Sequence, residues 1–361
     1  MESIPRSTPR GVTLALEGGG ALGAFTWGVL ERLLDVPSLR IAAVSGTSAG
    51  AMNGAMLVQG LVADGPAGAK SLLQTFWQRV AIASGSLPGP AGNWLQSMSA
   101  GMAPMLDAMR NAGSALSGGF TFGTNPLRGI LADLLHPSLF TDPAAPELVV
   151  AATRVRTGEA RLFWGSEVSI DALLASACLP LLFSAIEIDG EAYWDGGYSS
   201  NPPVRPLIEA GAPADVIIVR TLPAERLRFP SGASAVKDRL SEITFGTPLR
   251  AELHSLALAQ ASLAGLADLP ATLARLRDAR LHMIGPIDGG SDLAFAALQP
   301  TWSNLAAQRA RGIVAAEHWL GDHLDDVGER SSFDLNPYAD GSAGASAQPV
   351  RQFMEGAANA T

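Results

Sequence analysis

Apolar residues along this chain fall into short unbroken runs separated by longer stretches of helical period. Val12-Thr13-Leu14-Ala15-Leu16, Ile41-Ala42-Ala43-Val44, Leu148-Val149-Val150-Ala151-Ala152-Thr153 and Val216-Val219 read as strands, the last of them buried. Ala160-Trp164 and Leu281-Ile284 add two more. Ala185-Ile188 and Glu191-Trp194 alternate in polarity about Asp189-Gly190, which predicts a hairpin closed by a two-residue turn. Between these runs the spacing predicts helices over Phe25–Leu34, after residue 48, and over 169–177, 234–266 and 301–325. The last is amphipathic through Trp302, Leu305, Ile313 and Trp319. Strands alternating with helices predict an α/β protein of three layers, with a central, mainly parallel sheet flanked by helices.

The second strand collapses into Gly46-Thr47-Ser48-Ala49-Gly50 and then turns helical. A G-x-S-x-G pentapeptide between strand and helix is a sharp elbow that holds its serine exposed at the top of the sheet, with a helix N-terminus behind it. Gly46 and Gly50 remove Cβ atoms where the two backbones approach. Ser48 is therefore a candidate nucleophile, against the plainer alternative of a helix N-cap. The first strand runs into Glu17-Gly18-Gly19-Gly20-Ala21-Leu22-Gly23, a loop whose uncovered N–H groups make a nest for an anion. The spacing of Gly18, Gly20 and Gly23 also fits a dinucleotide fingerprint, but that reading needs an acidic residue at the end of the second strand. The strand ends instead in Ser45-Gly46-Thr47-Ser48. An oxyanion hole beside an exposed serine explains the nest better.

Trp194-Asp195-Gly196-Gly197 closes the hairpin with no return strand, leading instead into Tyr198-Ser199-Ser200-Asn201-Pro202-Pro203. An aspartate at a strand end with glycines behind it is placed like a catalytic group, although turns also favour aspartate. In this order, the glycine loop, the elbow and Asp195-Gly196-Gly197 resemble the motifs of the patatin-like phospholipase family, in its bacterial type with a C-terminal helical extension. The resemblance covers roughly residues 12–210 and includes Ala175-Ser176-Ala177-Cys178-Leu179-Pro180 and Asn201-Pro202. It implies a patatin-like three-layer fold and a serine acyl hydrolase that cleaves carboxylic esters of lipids through an acyl-enzyme. Ser48 would be the nucleophile and Asp195 the proton acceptor, with amides of Gly18, Gly19 and Gly20 as the oxyanion hole. Glu17 stands where family loops often carry aspartate, and Ala21-Leu22 leave the loop without a basic residue. The rival is a Ser-His-Asp esterase of α/β-hydrolase type. His254, His318 and His323 lie in helical segments, His282 reads as packed within a strand, and no histidine follows Asp195 in an obvious loop. The dyad is therefore preferred, with His282 kept open. A non-catalytic lipid-binding protein on the same fold would need neither Ser48 nor Asp195.

Composition narrows this further. The chain has 361 residues, a net charge of −9, and lysine only at positions 70 and 237, which disfavours a nucleic-acid partner. Cys178 is the only cysteine, so no intrachain disulfide or thiolate metal cluster is expected, and its small apolar neighbours suggest a buried filler. No residue set has convincing metal-ligand spacing, and no cofactor is implied. The apolar run at 12–16 is too short for a signal peptide. Residues 41–63 are uncharged and long enough to mimic a membrane span, but they contain the elbow and suit a buried strand and helix. A cytoplasmic enzyme touching membrane surfaces transiently is expected.

Three regions follow from these patterns: a catalytic domain over 12–210, a strand and helical extension over 211–338 packed on it or serving a dimer interface, and a disordered tail over 339–361. Within the first, residues 84–126 carry only Asp107 and Arg110 as charges, with Met98, Met102, Met105 and Met109 at helical spacing. The methionine face suggests a core helix, and the Gly/Pro flanks at 84–92 and 113–119 suggest a mobile lid over an acyl groove.

Overall fold

A computed structural model of the chain describes residues 9–84, 125–180, 182–222, 229–287 and 300–339. The expected lid segment, apart from its ends, lies outside the described residues, as does the tail from residue 340.

The sheet has eight strands: β1 (Arg10–Leu16), β2 (Leu39–Thr47), β3 (Glu147–Arg154), β4 (Ala160–Trp164), β5 (Ile186–Ile188), β6 (Glu191–Asp195), β7 (Asp215–Val219) and β8 (Arg280–Ile284). Their order is β5-β6-β3-β2-β1-β7-β8, with β4 also paired to β3. The ladders linking β3, β2, β1, β7 and β8 are parallel, whereas β4 and β6 run antiparallel to β3. The β5–β6 hairpin turns at Asp189 and Gly190, with φ of 51° and 77°, the positive angles that a tight two-residue turn requires. Among the described residues, helices are α1 (Gly23–Leu33), α2 (Ala49–Ala83, broken at Asp64 and Gly65), α3 (Leu127–Leu134), α4 (Ile170–Ser176), α5 (Arg205–Ala210), α6 (Ala233–Leu263), α7 (Ala271–Asp278), α8 (Trp302–His323) and α9 (Asn336–Ala339).

Strand alternation sorts the layers. Val12, Leu14, Leu16, Ile217 and Val219 face one core with α1, α2, α3, α4 and α8. Ala15, Val216, Ile218 and Leu281 face the other, against α5, α6 and α7. Each central strand is thus apolar on both faces, which is why it appears in sequence as an unbroken run. The part of the chain beyond residue 210 supplies β7, paired to β1, and β8, paired to β7, so it completes the same sheet rather than only lying against it. Its last long helix, α8, crosses α1 at Gly28 and Gly312, where a side chain on either would run into the other helix's backbone.

Candidate active site

The parallel strands end together on one edge of the sheet, the edge where α/β proteins gather their chemistry. β1 runs out into Glu17-Gly18-Gly19, β2 into Ser48, and β7 into Arg220-Thr221. Register on β3 then joins Ser48 to Asp195. Residues 147–151 of β3 pair with β2, and residues 152–154 pair with β6, placing Thr47 opposite Ala151 and Asp195 opposite Ala152. β4 pairs with residues 149–153 of β3, overlapping both ladders, so β2 and β6 follow one another along the other edge. A Cβ at Gly196 would come within 3.0 Å of Thr47 Cγ2, in keeping with that junction.

Ser48 sits at φ 53° and ψ −122°, a left-handed conformation that costs a non-glycine residue of order 1–3 kcal/mol. The elbow is held from both sides. Ser48 N–H donates to Ser176 Oγ at 2.9 Å, and Met52 N–H donates to Ser48 O at 3.1 Å, opening α2. A Cβ at Gly50 would run into the Leu16 carbonyl, so only glycine lets α2 pass that close to β1. The Ser48 hydroxyl makes no cap bond to the helix. It lies close enough to the Asp195 carboxylate to favour its charged form.

Asp195 is 1% exposed. Its N–H donates to Cys178 O at 2.8 Å, its carbonyl accepts from Thr153 Oγ1 at 2.8 Å, and its Oδ1 accepts Gly197 N–H at 2.8 Å. Burial pushes the carboxyl up from 3.8 to about 7, against the Gly197 N–H and Ser48 hydroxyl, which both favour the charged form. Part of the cover comes from α6, because a Cβ at Gly197 would strike the Phe245 ring, which packs on Tyr198 at 4.9 Å. Cys178 is buried, as a filler should be. Burial, with the Asp195 charge nearby, pushes its thiol up to about 11, so it offers no thiolate at neutral pH.

The glycine loop lies directly on the elbow. A Cβ at Gly18 would stand 2.7 Å from Thr47 O and 2.9 Å from Ser48 Cβ. Of the three amides expected to form the oxyanion hole, that of Gly18 is already engaged, donating to Asn201 Oδ1 at 2.7 Å. Among the described residues no acceptor faces the amides of Gly19 and Gly20, which remain available. Gly23 opens α1 against Ala49 and Trp77, a packing position rather than a donor.

The histidines stand elsewhere. His282, in the middle of β8, is fully buried, with Nε2 3.2 Å from Asp215 Oδ1 and Nδ1 2.9 Å from Ser332 Oγ, and its ring packs edge-on to Trp319. Asp215 is the first residue of β7, at the end of the strand remote from the site. Burial would raise its carboxyl, but Arg280, His282 and the Gly328 N–H outweigh burial and hold it well below the usual carboxylate range. His254 meets Tyr338 O, His318 meets Asp322 and His323 meets Asp326. His136 is exposed.

Sequence reasoning did not assign functional roles to Glu17, Ser176, Thr221 or Phe245. Thr221 lies just past the apolar run of β7, and the rule that parallel strands present function at their C-terminal ends would have marked it. Phe245 carried no signal, since it reaches the site only through the packing of α6. Among the described residues no group of histidine, cysteine, aspartate or glutamate could hold a metal ion, and no helix is long and apolar enough to cross a membrane.

The family model for patatin-like phospholipases matches residues 14–208, from β1 to α5. The chain belongs to the patatin-like phospholipase family. The matched span holds the glycine loop, the elbow and Asp195-Gly196-Gly197, and membership makes the protein a lipid acyl hydrolase in general terms. No curated protein matches the chain. Among solved structures, the crystal structure of VipD from Legionella pneumophila is similar at 18% identity and a TM-score of 0.39, over 88% of this chain and 67% of that one, too loosely to bear on function.

Proposed function

We propose that the protein hydrolyses carboxylic ester bonds of lipids with a Ser48–Asp195 dyad and an acyl-enzyme intermediate. The observation that carries this reading is Ser48 on a strained elbow beside the buried Asp195, whose carboxyl burial pushes up to about 7 and whose charged form the Ser48 hydroxyl favours. A carboxylate at its usual pKa is a poor base for an alcohol, and desolvation corrects that. Ser48 Oγ attacks the ester carbonyl as its proton passes to Asp195. The carbonyl oxygen becomes an oxyanion facing the Gly19 and Gly20 amides. Collapse expels the alcohol, which takes the proton from Asp195. Water then attacks the acyl-enzyme, giving its proton to Asp195, and the second collapse frees the carboxylic acid and returns the proton to Ser48. A positioned carboxylate supplies about 10²–10⁴-fold, and an oxyanion donor about 10²–10³-fold.

The substrate class is a lipid ester, and action at a lipid surface belongs to the same reading. Val236, Leu240 and Ile243 lie exposed along one side of α6, the helix whose Phe245 covers Asp195. The Ser-His-Asp alternative lacks support, since among the described residues no histidine is a hydrogen-bond partner of Ser48 or Asp195. Reaction with a fluorophosphonate tests the reading. Ser48 should be the serine modified, with labelling and ester turnover both absent in Ser48→Ala. Labelling that persists in that variant would overturn the assignment, and an unlabelled wild type would favour a binding protein.

A further inference from the structure

The Gly19 amide can stabilise an oxyanion only if its direction is fixed, and the glycine loop has no side chains of its own to fix it. Gly18 C=O and Gly19 N–H belong to one planar trans peptide and therefore point in opposite directions. Whatever holds the carbonyl also aims the amide. Thr221 Oγ1 lies 3.0 Å from Gly18 O, and the Thr221 side chain is 1% exposed. On the other side of the same residue, Gly18 N–H is held by Asn201 Oδ1 at 2.7 Å, and Asn201 Nδ2 donates to Phe245 O at 3.0 Å. Gly18 is thus gripped at both of its backbone polar groups.

Thr221 also lies 3.3 Å from Glu17 Oε2, and its hydroxyl has one proton to give. Glu17 Oε2 already accepts the amides of Thr221 at 2.7 Å and Leu222 at 2.9 Å, so the hydroxyl is left for the nearer Gly18 carbonyl. Those two amide bonds tie the end of β7 to the end of β1, and Glu17 is fully buried. Its carboxylate therefore sets where the Thr221 hydroxyl stands.

We propose that Thr221 is a positioning residue for the hydrolytic reaction: through the Gly18 carbonyl it aims the Gly19 N–H as an oxyanion donor, with Asn201 securing the opposite side of Gly18. The proposal rests on the acyl-hydrolase reading above. It extends that site to a strand that the catalytic motifs do not include.

Thr221→Val keeps the side chain's shape and removes the hydroxyl. It should lower kcat about 10–100-fold, somewhat less than losing an oxyanion donor outright, with KM within about twofold of wild type. The rate at which a fluorophosphonate modifies Ser48 should fall in parallel, because the phosphoryl oxygen gathers charge in the same hole. Thr221→Ser, which restores the hydroxyl but not the methyl group, should recover both rates. A merely structural threonine would lower the melting temperature while leaving kcat per folded molecule and the phosphonylation rate unchanged. Should the valine variant not fold, Thr221→Cys, with a weak S–H donor, takes its place. Wild-type rates in folded Thr221→Val, or equal losses in Thr221→Ser, would overturn the proposal. Failure of the acyl-hydrolase reading is distinguishable, since Ser48 in the wild type would then not be labelled at all.

Discussion

Asp195→Asn removes a charge from a side chain that is 1% exposed while keeping its shape. In the folded protein, burial lifts this carboxyl from 3.8 to about 7, against the Gly197 N–H bond and the nearby Ser48 hydroxyl, which favour the charged form. Between those two values the folded state binds more protons than the unfolded chain, so stability falls as pH rises, and the loss is complete above about 7. At about 1.36 kcal/mol per pH unit, the ionised carboxylate costs about 4 kcal/mol near pH 8, about 2 kcal/mol near pH 5, and almost nothing below about pH 3. Asparagine has no charge to desolvate, and its oxygen still accepts the Gly197 N–H. The variant should therefore be more stable than the wild type by about 2–4 kcal/mol near pH 8, and the two should converge in acid. Its amide cannot accept the serine proton, so turnover should fall by about 10²–10⁴-fold or more. Urea titrations followed by circular dichroism across this pH range measure the first effect, and ester hydrolysis by the same samples measures the second. A stability difference that does not change with pH would refute the desolvation of Asp195. Turnover within about tenfold of wild type would refute its role as the base.

Two further outcomes follow from the same geometry. With the base ionising near 7, wild-type kcat/KM should rise with pH through about 7 and level off above it, a limb absent if Asp195 titrates in the ordinary carboxylate range. A pH–rate profile with a soluble short-chain ester measures this. His282→Ala removes a fully buried ring bonded to Asp215 and Ser332, and should cost about 2–4 kcal/mol of stability while leaving kcat per folded molecule within about twofold. A folded His282→Ala protein as inactive as Ser48→Ala would bring back the triad.

The local motifs were legible because each is a covalently continuous solution to a backbone problem. Gly46-Thr47-Ser48-Ala49-Gly50 must turn sharply between a buried strand and a helix, and Asp189-Gly190 must supply two positive φ angles. Both requirements select residue types that can be read without knowing what lies across the sheet. The doubly buried strands were readable in the same way, because two apolar faces leave an unbroken run. The status of Gly18 was not legible. Its sequence context is that of its neighbouring glycines, and only Asn201, 183 residues away, removes its amide from the set of free donors.

What the sequence by itself determined is therefore the list of chemical parts: a serine on an elbow, a glycine nest, an aspartate at a strand end, and strands and helices enough for a three-layer sheet. Their spacing along the chain expresses local backbone geometry, which neighbouring residues control. What only the tertiary structure decided is how the parts meet. Asp195 reaches Ser48 because β2 and β6 share one edge of β3, a register settled by long-range hydrogen bonds. Its carboxyl titrates near 7 because the folded chain, including Phe245 from α6, excludes water from it. The Gly19 amide acquires a fixed direction only when β7 pairs with β1 and brings Thr221 to the Gly18 carbonyl. Burial and aim belong to groups brought together from distant positions, and no local pattern of residues encodes them.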